Sequence, residues 1–459
     1  MMEQMKSLFE KGIRAIPILL LLTWLGGGPV FAQEPALSSE PPRSAEERLW
    51  ELYEGWTIES VSIVRPQEID RALLERYFDI AANEVFSVQK AKKGLERVRK
   101  LPSIASAELR GVRGDTEDTV KLFLVVTEAK TRSILPMATR AVVNDWSFGI
   151  VYSDWNLRGL CEELTWDIYY GGAFLVDAGY SKPIFTAVPY MGIGINGSYY
   201  DYDYPYPDYK DLLIDPRIQR VQADIPVTFN PHDMFYIELS PGTDYFGVAD
   251  SMVAGGGTVD IPEQPSGAFS TVEIGLGSRW LDRGFYPSLG YDIYLARKDW
   301  GVFMSDPAIS TSLYRYLATF YLDIYRRAIL MLHSRGGFNR GDVPLLLREH
   351  LGGIGSIRGL EFGILNGDNS LLGSAEIRIP LNFEDITDLG NPLILADFHV
   401  FIDSGACWTE PQSLTTELFY SGFGCGMNFI PAQKVMIRID YAWRLNTSGM
   451  WQIDISTFF

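Results

Sequence analysis

From Ser133 to Phe459 the chain contains no convincing amphipathic helix and no apolar run approaching the ~18 residues of a spanning helix. Short segments instead alternate apolar and polar residues and recur at intervals of roughly twenty residues, the density of spanning strands of ~9–11 residues plus their connections. In Trp451–Phe459, Trp451, Ile453, Ile455 and Phe459 share one face, opposite Gln452, Asp454 and Ser456. In Lys434–Trp443, Val435, Ile437, Ile439, Tyr441 and Trp443 oppose Lys434, Arg438 and Asp440. Nearly every strand carries one apolar face that water would not tolerate. A closed barrel turns those faces to lipid and leaves no sheet edge open, whereas a soluble sandwich turns them inward. The pattern predicts an all-β transmembrane barrel of about sixteen antiparallel strands, an even number as bacterial barrels have.

The N-terminus favours export. Lys6, Lys11 and Arg14 precede an apolar run, Ile16–Leu25, and Val30-Phe31-Ala32 fits a cleavage site. Residues 1–32 read as a signal peptide, and the run is shorter than the ~20 residues of a membrane anchor. The chain has 24 Tyr, 25 Phe and 11 Trp, the stock of aromatic girdles. A net charge of −18 argues against nucleic acid as a partner. Three cysteines, Cys161, Cys407 and Cys425, cannot form a disulfide framework.

Between signal and barrel, residues 33–55 read as a Pro/Ser/Glu-rich linker with a short helix after Ser44. Residues 56–130 then show a strand around Ile58–Val64, helices over Asp70–Phe78 and Val88–Leu101, and strands over Ile104–Leu109 and Val120–Thr127. This order resembles a POTRA domain, whose modules bind unfolded chains or neighbouring proteins by adding a strand to a sheet edge. The barrel takes residues 131–459, with short turns on the domain side and long outer connections at Asp201–Pro216, Gly247–Gly267 and Gly337–Asp368.

Catalytic signatures are missing. His232, His333, His350 and His399 lack metal-ligand spacing, no Gly-x-Ser-x-Gly occurs in a strand-turn-helix context, and no lysine or helix follows Gly352–Ser356 to make a phosphate loop. Neither enzyme activity nor a metal or cofactor is expected. Glu376, Arg378, Asp397, His399, Asp403, Arg438 and Asp440 all project to the polar face, as wall residues balancing charge in a lumen.

Five stretches carry a family resemblance. Leu351-Gly-Gly-Ile-Gly-Ser-Ile-Arg-Gly-Leu-Glu-Phe puts Arg358 in a loop with glycines at 352, 353, 355 and 359, able to fold tightly into a confined space. Asp154-Trp-Asn-Leu-Arg-Gly follows the second strand. Leu281-Asp-Arg-Gly-Phe-Tyr-Pro-Ser-Leu-Gly forms an inner turn with Asp282, Arg283, Pro287 and Gly290. Ser374-Ala-Glu-Ile-Arg-Ile-Pro and Phe401-Ile-Asp-Ser-Gly mark later strands. Taken in chain order, behind a POTRA-like module, they resemble the BamA/TamA superfamily of outer-membrane barrels, with Leu360 where that family usually has an aromatic.

The resemblance implies an insertase or translocase of a Gram-negative-type outer membrane, working without nucleotide or cofactor, its N-terminal domain in the periplasm. Its partners would be unfolded or nascent outer-membrane and secreted proteins, the lipid bilayer and periplasmic accessory proteins. The seam between about Ser133–Ala141 and Trp451–Phe459 would open to clients. Arg358, followed by Gly359, would pair with Asp403 of the Phe-x-Asp-x-Gly stretch, with Glu376 in reserve. Phe459 matches the terminal signature by which barrels are recognised for assembly. A two-partner-secretion pore, for which one module is fewer than usual, and a passive porin-like channel are the alternatives; an outer-membrane lipase lacks its nucleophile motif.

Overall fold

The structure, a computed structural model, describes residues 50–64, 66–99, 101, 103–141, 145–185, 190–203, 217–232, 234–248, 266–282, 286–302, 309–325, 328–381, 394–409, 414–431, 435–444 and 449–457. The signal peptide, the linker up to residue 49, Arg283 and Phe459 lie outside them.

The small domain comes first. Strand β1 (Thr57–Val64) is followed by helices α1 (Arg71–Phe78) and α2 (Val88–Arg99), then by β2 (Ile104–Arg113) and β3 (Thr119–Glu128). Asp70 caps α1 by accepting from Leu73 N at 2.9 Å, and Asp79 ends it in the left-handed region at φ 53°. The buried residues of α2, Ala91, Gly94, Leu95 and Val98, fall at helical spacing along one side. Gly94 is the crossing point, since a Cβ there would lie 2.4 Å from the Phe78 carbonyl oxygen. In β3, the central strand because it pairs with both β1 and β2, alternate residues Val120, Leu122, Leu124 and Val126 are buried against the helices.

Both edges of this sheet are partly occupied. On β2, Trp50 Nε1 donates to Leu109 O at 3.1 Å and Arg99 Nε to Ala107 O at 2.8 Å. On β1, residues 84–86 already pair with the Trp56–Ile58 end, through Ile58 N to Glu84 O and Phe86 N to Trp56 O, each 2.8 Å. The Ser60–Val64 half of β1 is the stretch left for an added strand.

The barrel begins three residues after β3. Its strands are β4 (Arg132–Ala141), β5 (Asp145–Leu157), β6 (Glu162–Gly171), β7 (Ala173–Phe185), β8 (Tyr190–Asp203), β9 (Arg217–Asp224), β10 (Val227–His232), β11 (Phe235–Val248), β12 (Gly267–Leu281), β13 (Gly290–Trp300), β14 (Thr311–Tyr325) and β15 (Ala328–Gly341). After a small hairpin, β16 (Glu349–Leu351) with β17 (Leu365–Gly367), come β18 (Asn369–Pro380), β19 (Ile394–Trp408), β20 (Tyr420–Pro431), β21 (Val435–Arg444) and β22 (Met450–Thr457). The main sheet has 17 segments, but β9 and β10 pair with the same two neighbours, β8 and β11, in unbroken register around Ile225-Pro226. Proline removes one ladder donor, so the interruption is local. Counting β9 and β10 as one (17 − 1) gives sixteen strands, and β22 returns beside β4 to close the ring.

Alternation sorts the faces as expected. Phe148, Ile150, Ile274, Leu276 and Leu295 stand outward and exposed, while Ser147, Glu273 and Lys298 turn to the lumen. No helix among the described residues is long and apolar enough to cross a membrane; the strands supply the apolar band instead. At the inner end the β5–β6 turn meets the small domain. Asp70 N donates to Gly159 O at 2.8 Å, and the Glu128 carboxylate accepts from the backbone N–H groups of Gln67, Glu68 and Ile69.

Candidate functional site

The connection between β15 and β18 starts at the outer rim and turns back into the barrel. Glycines 352, 353, 355 and 359 all have positive φ. The requirement is clearest at Gly352, with φ +125° and a Cβ position 2.2 Å from the Glu361 carbonyl oxygen, which no side chain could occupy. The tip packs Leu351, Ile357 and Leu360 against Leu372 of the wall. Leu360 is buried there, filling the apolar role expected of an aromatic.

That packing delivers Arg358, 3% exposed, into the wall. Its Nε and Nη2 donate to the two Asp403 oxygens at 2.7 and 2.8 Å, and its own backbone N–H reaches Asp403 Oδ2 at 3.0 Å. Nη1 lies 2.7 Å from Glu376 Oε2 and 3.3 Å from Asp440 Oδ2. Ser374 Oγ steadies Asp403 Oδ1 at 2.6 Å. Beneath the guanidinium lies the Phe401 ring, its centroid 3.4 Å from Cζ. A bidentate carboxylate pair stacked on an aromatic is the geometry that suits arginine and not lysine.

The network continues inward. Arg378 Nε and Arg438 Nη2 reach Glu376 Oε1 at 2.7 and 3.0 Å. His399 stands between Asp440, 2.8 Å from Nε2, and Asp397, 3.3 Å from Nδ1. Asn428 joins Asp397 to Arg438. Three guanidiniums and an imidazole thus face four carboxylates, all four fully buried. Each charge has a partner, without which burial would cost several kcal/mol. Among the described residues no cluster of His, Cys, Asp or Glu has metal-holding geometry.

Strand alternation assigned these residues to one face without saying which of them meet Arg358. Asp403 and Glu376 both contact it, and Asp440, Phe401 and Ser374 join them. A further signal stood in the sequence: Gly422, Gly424 and Gly426 occupy successive lumen positions of β20. A Cβ at Gly422 would lie 1.8 Å from Arg358 O, and one at Gly426 would lie 2.1 Å from Asp440 Oδ1. The stripe is the seat of the loop and its charges. Gln452 of β22 is the other unforeseen member. Its Nε2 donates to Leu360 O at 3.2 Å and its Oε1 accepts from Gly359 N at 3.4 Å.

The inner-turn residues form a separate group at the opposite end. Asp282 accepts from Ser288 N at 2.9 Å, Leu289 N at 3.1 Å and Ser288 Oγ at 2.5 Å. Gly290, at φ +137°, allows β13 to start against the Trp280 carbonyl. Pro287 follows Tyr286, which is buried. In the β5–β6 turn, Asp154 Oδ1 accepts from Asn156 N, and Asn156 Oδ1 from Cys161 N, each at 3.0 Å.

The family profile of the Omp85 superfamily domain matches residues 262–459, a span that includes Arg358 and every wall residue it touches. No curated protein sequence matches the chain. Among solved structures, BamA from Haemophilus ducreyi lacking POTRA domains 1–3 aligns over 87% of this chain and 84% of its own, at 14% identity and a TM-score of 0.57. CdiB from Acinetobacter baumannii aligns over 88% and 74%, at 13% identity and 0.58. CdiB from Escherichia coli aligns over 88% and 76%, at 12% identity and 0.62. At such identities the likeness is one of fold.

Proposed function

We propose that this chain, whose residues 262–459 match the Omp85 superfamily domain, inserts or exports other proteins at a bacterial outer membrane, through a wall that opens between β4 and β22. It acts without catalysis or cofactor. The observation that carries the reading is Gln452. The loop that fills the lumen is pinned by Arg358 to β18, β19 and β21, and by Gln452 to the last strand. A plug tied to the seam strand is a latch on an opening wall, and a passive channel has no use for one. The N-terminal domain, POTRA-like in its element order, would receive an extended client on the Ser60–Val64 edge. A client strand could then pair with β4 once β22 parts from it.

The test is photo-crosslinking in liposomes during assembly of a urea-unfolded barrel precursor. Probes replace Ile134 on β4 and Ile453 on β22, both on the outer face at the seam, and Glu238 on the lumen wall. Precursor crosslinks at the two seam positions are expected. Crosslinks at Glu238 alone would indicate a lumen route, as in a two-partner-secretion pore, and none at any position would contradict protein handling.

A further inference from the structure

The charge network has an inner end as well as an outer one. Tyr286 belongs to the β12–β13 turn, yet it packs with Ile329 of β15 and Ile430 of β20, beside Tyr321 and Met436. Those four alternate with the lipid-facing residues of their strands, in phase with Thr319, His333, Asn428 and Arg438, and so face the lumen. Along the wall β13 and β20 are separated by β14, β15, β18 and β19. A turn can touch β20 from there only by crossing the inside of the barrel.

The turn is built for this. Asp282 ties its two ends together, and Tyr286 sits at φ +51°, a backbone conformation that a tyrosine keeps only when its surroundings impose it. The side chain is 3% exposed, and among the described residues its hydroxyl closes no hydrogen bond of ordinary geometry. Burial first, then the charge of Asp397, holds the phenol above its ordinary range, so it remains a proton donor. Arg378 and Glu376 are the other charges it feels. Asp397 and Arg378 are the inner members of the network whose outer member is Arg358, and Glu376 is shared by both ends.

We propose that the Tyr286–Leu289 arm of the β12–β13 turn is an inner plug of the lumen and that Tyr286 is a positioning residue for the lock, seated beneath Asp397 and Arg378 so that Glu376 stays in place for Arg358. Displacing the turn from the periplasmic side, as an entering polypeptide would, then loosens the loop on the opposite face. The inference deepens the proposed function by naming where a client acts, but the coupling is tested with no client present.

The probe is chymotrypsin added outside liposomes, cutting after Leu360, which is buried while the loop is docked. Tyr286→Ala is expected to raise the cleavage rate about tenfold, within the ordinary range of coupling between sites. Tyr286→Phe, which keeps the ring, should raise it by a smaller factor with heat-modifiable mobility intact. In an Arg358→Ala background neither substitution should add to the rate, because the lock is already open. Wild-type cleavage in Tyr286→Phe together with Tyr286→Ala would overturn the inference, as would equal effects with and without Arg358. A normal coupling result alongside no client crosslinks would instead sink the function and leave the plug standing.

Discussion

Arg358→Ala should free the loop from the wall and abolish client handling while the barrel stays folded. The substitution leaves Asp403, Glu376 and Asp440 buried with less than their share of positive charge, and breaking one partner of such a cluster costs on the order of 3–5 kcal/mol. At 1.4 kcal/mol per tenfold, the open population should rise by about two to three and a half orders of magnitude. Chymotrypsin cleavage after Leu360 reports that population directly. Asp403→Ala should behave alike, and the double variant should be little worse than either single one. Strictly additive effects would show that the two residues do not act as a pair.

Gly422→Val should produce much of the same phenotype without touching any charge. The first side-chain atom would fall 1.8 Å from Arg358 O, a backbone atom that can retreat only if the loop retreats. Overpacking of this kind costs about 1–3 kcal/mol, and here the cheapest relief is expulsion of the tip. Gly373→Ala is the control, because a Cβ at Gly373 meets nothing within 4 Å. If Gly422→Val left cleavage after Leu360 at the wild-type rate, the loop would not rest on β20.

These two experiments separate what the sequence disclosed from what it hid. Period-two alternation identified the barrel and the lumen face of β18, β19 and β21, since the side-chain period of a strand is fixed by its geometry. It even survived Pro226, where β9 passes into β10 without a change of register. Asp403 and Glu376 could be nominated because the Phe-x-Asp-x-Gly and Ser-Ala-Glu-Ile-Arg stretches stand in recognisable order. Asp440 and Gln452, 82 and 92–93 residues beyond their loop partners, could not. Alternation gives a face, but the height of each residue depends on strand tilt and register, which appear only once the ring closes. Leu360, where the family pattern has an aromatic, is buried with Leu351, Ile357 and Leu372, and the ring under the guanidinium is Phe401 of the wall. Tyr286 was legible as part of a turn and illegible as a plug: nothing in a turn sequence states whether it folds outward or under the barrel.

The central claim is that the wall opens between β4 and β22. The direct measurement is precursor assembly by the reconstituted protein with cysteines introduced at or beside Met137 and Asp454, before and after reduction, in a background with Cys161, Cys407 and Cys425 replaced. With the disulfide formed, the account predicts a barrel that keeps its heat-modifiable mobility but assembles no client, and recovers when the bond is reduced. Full assembly with the seam demonstrably crosslinked would contradict it.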